Sequence, residues 1–272
     1  MRLFWRIYFI DWKYSKLTYF GTFLGISGFV DMKNLVLVGG AGGIGRSLAN
    51  RALDEGWAVT VMDLEKSLAK HPPAKGIKSR QIDLTNPPSI ENAFSDFNQL
   101  SGFVNLAGYM QGLNSIEETT NKDFDEVINL NLKGAFLVAK KALPLLRVNG
   151  GSMVNVVSGL ASHVRPKYGA YGISKAGLIN LTKTLALEEA PKVRVNAVGP
   201  SAVDTAFLRG GTGRSDENEP ISLNIENYVK ITPLARMAVP EDIVGPIMFL
   251  LGSDSSFMTG QTLWVNGGGY MP

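Results

Sequence analysis

Lys33-Asn-Leu-Val-Leu-Val-Gly-Gly-Ala-Gly-Gly-Ile-Gly45, running on into Arg46–Glu55, decides the fold. Residues 33–38 (KNLVLV) form a short apolar run of the buried parallel-strand type. Residues 39–45 are glycine-rich, and Arg46–Glu55 carries a helical pattern. A strand, a glycine-rich turn and a helix in that order build a phosphate site. Glycines let the backbone approach a pyrophosphate, and the helix N-terminus presents free amides at the positive end of its dipole. A flexible glycine loop is the competing explanation, and the placement between strand and helix argues against it.

The pattern repeats downstream. A second strand, Trp57–Met62, ends at Asp63, 18 residues beyond Gly45. An acidic side chain there hydrogen-bonds adenosine ribose hydroxyls and repels a 2′-phosphate, which favours NAD over NADP; a plain helix N-cap is the alternative. A third strand, Ile77–Ile82, leads to Asp83-Leu84 and a helix at Ser89–Asn98. A fourth, Gly102–Asn105, ends in Asn105-Leu106-Ala107-Gly108, whose small residues let a cofactor lie across the strand end. Alternating strands and helices specify an α/β fold: a single Rossmann-type, doubly wound parallel sheet of about seven strands with helices on both faces.

Ser158 follows another strand-like run, Ser152–Val157. Tyr171 and Lys175 open an apolar-periodic helix, AYGISKAGLINLTKTLALEE. Residues four apart share a helix face at about 5–6 Å between Cβ atoms, so the lysine ammonium is placed beside the phenol. A positive neighbour favours the phenolate and makes tyrosine usable as a general acid/base. Ser158 is then a second hydroxyl for the substrate oxygen. Alone, Tyr-x-x-x-Lys is equally an exposed i,i+4 pair.

With 272 residues, 45% hydrophobic and 19% charged, the chain fits one large α/β domain. A net charge of +3 without a basic run argues against nucleic acid as a partner. The absence of cysteine excludes disulfides and thiolate metal sites and is compatible with the cytoplasm. The two histidines, at 71 and 163, lie too far apart in sequence to favour a histidine metal site, so no metal is expected.

Residues 1–31 differ from the rest: they hold 10 of the 25 aromatics together with Arg2, Arg6, Lys13 and Lys16. Their least polar part, Leu17–Val30, spans 14 residues, short of the ~20 that cross a bilayer. A translated upstream stretch with the start at Met32, a membrane-surface anchor and a partner-binding arm are the competing readings. The position of Met32 just before the first strand favours the first, leaving residues 32–272 as one α/β domain.

These motifs together resemble those of the short-chain dehydrogenase/reductase family. Val38-Gly39-Gly40-Ala41-Gly42-Gly43-Ile44-Gly45 is similar to its Thr-Gly-x-x-x-Gly-x-Gly, with valine for threonine. Asn105-Leu106-Ala107-Gly108 resembles its Asn-Asn-Ala-Gly, and Asn131-Leu132-Lys133-Gly134 its Asn-Leu-x-Gly. Ser158, Tyr171 and Lys175 fall at the family spacing. Arg194–Ser201 resembles Asn-x-x-x-Pro-Gly, with Ser201 for glycine, and Trp264–Gly268 resembles Val-Asp-Gly-Gly. Val38 and Leu106 forgo side-chain hydrogen bonds that brace the cofactor loops, at about 1 kcal/mol each unless compensated. Ser201 must take the backbone angle that glycine served.

The resemblance implies hydride transfer between a secondary alcohol and a ketone with NAD, NADP being the alternative. Tyr171 is then the general acid/base, Lys175 lowers its pKa and holds the nicotinamide ribose, Ser158 binds the substrate oxygen, and Asn131 positions a relay water. Cofactor contacts are implied for Gly39, Gly43, Ile44, Gly45, Asp63, Asp83, Leu84, Asn105, Ala107, Gly108, Tyr171, Lys175, Pro200, Val203 and Thr205. His163 and Arg165, like Tyr109, Gln111 and Asn114, are expected mainly to solvate their loops. Residues 203–235 read as a mobile cover over the substrate. The helix Asp242–Leu251 and the strand Thr262–Val265 imply a homotetramer, as in the family. An NADPH-dependent 3-oxoacyl-thioester reductase and a non-catalytic dinucleotide sensor are the alternatives.

Overall fold

The computed structural model describes residues 32–271 apart from 111, 212–219 and 222. The aromatic arm, residues 1–31, therefore lies outside the described residues, as do Gln111 and the middle of the 203–235 stretch. Among the described residues one seven-stranded parallel sheet runs in the order β3-β2-β1-β4-β5-β6-β7. Its strands are β1 (Asn34–Val38), β2 (Ala58–Asp63), β3 (Lys78–Gln81), β4 (Gly102–Asn105), β5 (Ser152–Val156), β6 (Arg194–Pro200) and β7 (Thr262–Val265). Helices α1 (Gly43–Asp54), α2 (Glu65–Lys70), α3 (Pro87–Phe94), α4 (Asn121–Ile128), α5 (Ala135–Arg147), α6 (Gly169–Glu189), α7 (Ile225–Ile231) and α8 (Pro240–Leu251) complete the order.

The two-residue period of β1 builds both cores. Leu35 and Leu37 join Leu48 and Ala52 of α1 and Ile243 and Ile247 of α8 on one face. Val36 and Val38 join Ile90 and Phe94 of α3, Val138 and Leu146 of α5 and Leu185 of α6 on the other. The strand order reverses between β1 and β4, whose ends are in register at Val38 and Asn105. Ligands of such sheets bind in the crevice beyond the carboxyl ends of the strands at this switch point.

Several boundaries differ from the sequence expectation. Helix α1 begins at Gly43, so the glycine stretch supplies its first turn instead of preceding it. Helix α3 starts at Pro87, because the Asn86 side chain accepts the Ser89 amide at 3.4 Å and proline suits the first turn. Between α4 and α5 the chain runs as a π-helical turn, Asn129–Gly134, a form that often marks functional positions. Within 203–235 the described parts are not featureless: Ala206–Arg209 forms a 3₁₀ turn, and α7 follows with Asn224 as its cap.

Candidate active site

The crevice begins at the glycine turn. Gly39 sits at φ +79°, and a Cβ there would lie 2.7 Å from the Ala107 nitrogen, so the turn after β1 packs directly on the turn after β4. A Cβ on Gly45 would lie 2.5 Å from the Gly40 Cα. Gly42 caps α1 without any side-chain hydrogen bond, so the first-turn amides of α1 are left for an anion. That arrangement fits a pyrophosphate.

Asp63, at the end of β2, accepts the Ala41 amide at 3.0 Å through Oδ2 and the Leu64 amide at 2.8 Å through Oδ1. The side chain thus ties the glycine turn to β2 while also facing a recess of about 120 Å³ lined by Asp83, Leu84 and Ala107. Asp83 accepts the Thr85 amide at 2.9 Å and the Thr85 hydroxyl at 2.7 Å. Two main-chain bonds and one from a side chain hold the turns beside Val38 and Leu106. Leu106 N–H donates to the Val38 carbonyl at 2.8 Å, Gly39 N–H to the Met62 carbonyl at 2.8 Å, and Arg46 Nη1 to the Ala41 carbonyl at 2.8 Å. Asn105 is 1% exposed and lines no cavity; its Oδ1 accepts the Ala107 amide at 3.1 Å.

A cleft of about 670 Å³ adjoins this recess, with Gly39, Gly43, Ile44, Gly45 and Gly108 on one side and Ser158, Tyr171 and Lys175 on its floor. Helix α6 turns one face inward, burying Tyr171, Lys175, Leu178 and Thr182. The Tyr171 and Ser158 side chains both line this cleft. Ser158 follows β5 and caps a short 3₁₀ turn, accepting the Leu160 amide at 3.2 Å.

Lys175, 2% exposed, donates from Nζ to the Val156 carbonyl at 3.0 Å and the Ala107 carbonyl at 3.5 Å. Its Nζ lies 5.8 Å from the Tyr171 ring centre. Burial pushes the lysine down to about 8. Burial pushes the Tyr171 phenol up to about 12, with the nearby Ser158 hydroxyl acting in the opposite direction. The sequence expectation that the ammonium lowers the phenol's pKa is therefore outweighed in the protein alone, where loss of water is the larger influence.

Asn131 is fully buried in the π-helical turn. Its Oδ1 accepts the Tyr109 amide at 2.8 Å, and its Nδ2 donates to the Tyr109 carbonyl at 2.8 Å and to Ser174 Oγ at 3.0 Å. Ser174 Oγ in turn donates to the Tyr171 carbonyl at 2.7 Å. Both side-chain donors are thus committed to holding the loop after β4 against α6; Asn131 does not itself line the cleft and bears on it through Ser174 and the Tyr171 main chain.

Pro200, Val203 and Thr205 line the cleft from the end of β6. A Cβ on Gly43 would meet Thr205 Cγ2 at 2.6 Å, so this segment lies against the glycine turn. Val203 bridges to Ala238, and the Asp204 amide donates to the Ala238 carbonyl at 2.9 Å. Ser201 is not among the non-glycine residues at positive φ, so it occupies the glycine position of the motif without strain. Phe207 lines both the recess and the cleft, 5.8 Å from the Tyr171 ring.

His163 and Arg165 line the cleft as well, against the expectation of mere loop solvation. Asn114 instead pairs with Tyr168 and borders a small neighbouring hollow. Sequence reasoning missed Tyr270, whose ring stacks on His163 at 5.0 Å, and Asn224, Asn227 and Tyr228 around α7. No periodicity or motif singles out these four. Only the return of β7 and α7 to the cleft brings them in.

A family profile described as enoyl-(acyl carrier protein) reductase matches residues 39–270. The 3-oxoacyl-[acyl-carrier-protein] reductase FabG of Staphylococcus aureus is 32% identical over 253 residues, covering 88% of this chain and 98% of that protein. A Brucella melitensis short-chain dehydrogenase/reductase of the glucose/ribitol dehydrogenase kind superposes with a TM-score of 0.78 at 29% identity, covering 88% and 97% of the two chains. The chain belongs to the short-chain dehydrogenase/reductase family. Other relatives of this short-chain dehydrogenase/reductase carry different chemistry. The 4-formylbenzenesulfonate dehydrogenase of Comamonas testosteroni is 34% identical over 247 residues, covering 86% of this chain and 96% of that one. A 3-ketoacyl-(acyl-carrier-protein) reductase from Brucella melitensis, in complex with NADH, matches with a TM-score of 0.78 at 26% identity over 88% and 98% of the chains. The protein is thus an oxidoreductase of this family, which uses nicotinamide cofactors. Among its described residues no helix is long and apolar enough to cross a membrane, and no cluster of three or more His, Cys, Asp or Glu could hold a metal.

Proposed function

We propose that this short-chain dehydrogenase/reductase interconverts a secondary alcohol and a ketone with NAD(H). The carrying observation is that Ser158, Tyr171 and the buried Lys175 converge on one cleft that runs on to the glycine turn. Nicotinamide supplies the hydride acceptor or donor at its C4 when bound.

In the oxidative direction the substrate hydroxyl lies between Ser158 and Tyr171. Tyr171 Oη takes the hydroxyl proton as the carbon-bound hydrogen leaves with its electron pair, and the carbonyl forms. Ser158 donates to the oxygen on which charge builds. Reduction runs these steps backwards, with the protonated phenol supplying the proton to the carbonyl oxygen. A phenol held high by burial is ready to donate a proton, while the positive charge of Lys175 and of an oxidised nicotinamide acts against burial and favours release. Asn131 positions this machinery by fixing Tyr109 and, through Ser174, the Tyr171 main chain.

The Gly43–Gly45 amides would hold the pyrophosphate, Asp63 the adenosine ribose, Leu84 and Asp83 the adenine side, and Val203 and Thr205 the carboxamide. The Asp63 carboxylate in the recess supports NAD over NADP. A second reading, reduction of a 3-oxoacyl thioester with NADPH, rests on the name of the staphylococcal relative. A screen of alcohols, ketones and a 3-oxoacyl thioester, followed by cofactor absorbance with NAD(H) and NADP(H), separates the two. We also propose a homotetramer, supported by the exposed Phe249 on α8 and the fully exposed Phe257 just after it. Size-exclusion chromatography with light scattering tests it.

A further inference from the structure

The charge of the main cleft is one-sided. Among the described residues no aspartate or glutamate lines it, whereas Lys175, Arg165 and His163 do. Arg165 is also set apart from its kind. Other described arginines are committed to partners, Arg147 to Glu189, Arg194 to Ser255 and Gly252, Arg236 to Asp242. Arg165 lies exposed on the cleft wall and enters no hydrogen bond or ion pair with any described residue.

The surrounding wall is built to aim it. Val164 points outward at 77% exposure, while His163 and Arg165 on either side of it line the cleft. His163 is fixed by stacking on Tyr270, with the rings 4° from parallel, and Trp264 braces Tyr270 edge-on at 5.7 Å. In the same wall His163 Nε2 and the Tyr270 hydroxyl are buried without a hydrogen-bond partner. Met110, Leu160, Leu223 and Ile231 give the rest of the cleft an apolar lining.

We infer that the substrate carries an anionic group, a carboxylate or sulfonate, that Arg165 engages at the cleft wall. An apolar spacer separates that group from the oxygen held by Ser158 and Tyr171. A guanidinium presents parallel N–H donors that match an oxyanion, and a cleft without carboxylates repels no anion. This inference rests on the oxidoreductase reading of Ser158 and Tyr171.

The test uses two ketones, 4-oxopentanoate and 4-acetylbenzoate, each paired with its methyl ester. They are assayed by NADH oxidation and, independently of turnover, by thermal shift of the NADH-loaded protein. For at least one pair the acid is expected to exceed its ester by roughly tenfold in kcat/KM, the effect of one charged hydrogen-bonded contact. Arg165→Gln brings that ratio near one, and Arg165→Lys restores part of it. Turnover of the esters at rates equal to or above the acids overturns the anion site and leaves the alcohol/ketone reading standing. A ratio kept in Arg165→Gln also overturns it. Acids that raise the melting temperature of wild type but not of Arg165→Gln, without any turnover, support the anion site and count against the reaction. Neither turnover nor a shift refutes the inference.

Discussion

Lys175 is a cation folded into a place that disfavours cations, and its removal should expose that conflict. Burial takes its pKa from 10.5 to about 8. Between those values the unfolded chain binds the proton and the folded chain releases it, so this residue makes stability rise with pH across that window. At 1.36 kcal/mol per pKa unit, holding Lys175 protonated in the fold costs roughly 3 kcal/mol at pH 7 and under about 1 kcal/mol at pH 10. Lys175→Met removes this cost but strips the Val156 carbonyl of its donor, a loss of about 1–3 kcal/mol. The methionine variant should therefore be more stable than wild type by about 1 kcal/mol at pH 7 and less stable by a similar amount at pH 10. Urea unfolding of both proteins without cofactor, at the two pH values, measures the difference directly. A stability gap of the same sign and size at both pH values would refute the reasoning, because it would mean that Lys175 is not held as a disfavoured cation. Turnover of the variant should fall by orders of magnitude in either case.

Tyr171→Phe deletes one hydroxyl and should keep cofactor binding while losing roughly a thousandfold or more in turnover; near-normal rates would remove Tyr171 from the chemistry. Fluorescence titration should show NADH binding more tightly than NADPH, with Asp63→Ser narrowing the gap; equal affinities in wild type would sink the assignment of Asp63. Asn131→Ala removes the three hydrogen bonds by which this buried side chain joins Tyr109 to Ser174, at about 1 kcal/mol each, and should lower both melting temperature and kcat. A melting temperature within a degree of wild type would show that the clamp is dispensable. A chain starting at Met32 should fold and turn over like the full-length protein, and aggregation or loss of activity would tie residues 1–31 to the native assembly.

What was legible in the sequence was whatever has a period or a fixed spacing. The apolar run of β1 and the glycines behind it announce a buried parallel strand and a tight turn into a helix, and both are where they were expected. Tyr171 and Lys175 share a face because a helix repeats every 3.6 residues, which needs no tertiary information. Boundaries slipped where local chemistry intervened: glycines 43–45 wind into α1, and the Asn86 cap with Pro87 starts α3 early. Helices α4 and α5 went unread because the π-helical turn between them breaks the 3.6-residue rhythm at Asn131. The direction of the Tyr171 shift was misjudged for a different reason. Sequence places a lysine beside a phenol but does not say how dry the site is, and dryness dominates. The substrate side was least legible. Tyr270, His163 and Arg165 converge through returns of the chain that no local pattern encodes.

Asp63 does two jobs at once on the proposed reading, since the oxygen that grips the Ala41 amide belongs to the same carboxylate that lines the recess proposed for the ribose. Nucleotide choice and glycine-turn order are then soldered together. A designer who exchanges this side chain to admit a 2′-phosphate also cuts the turn loose, and loses affinity for both dinucleotides until a second substitution gives Ala41 a new anchor.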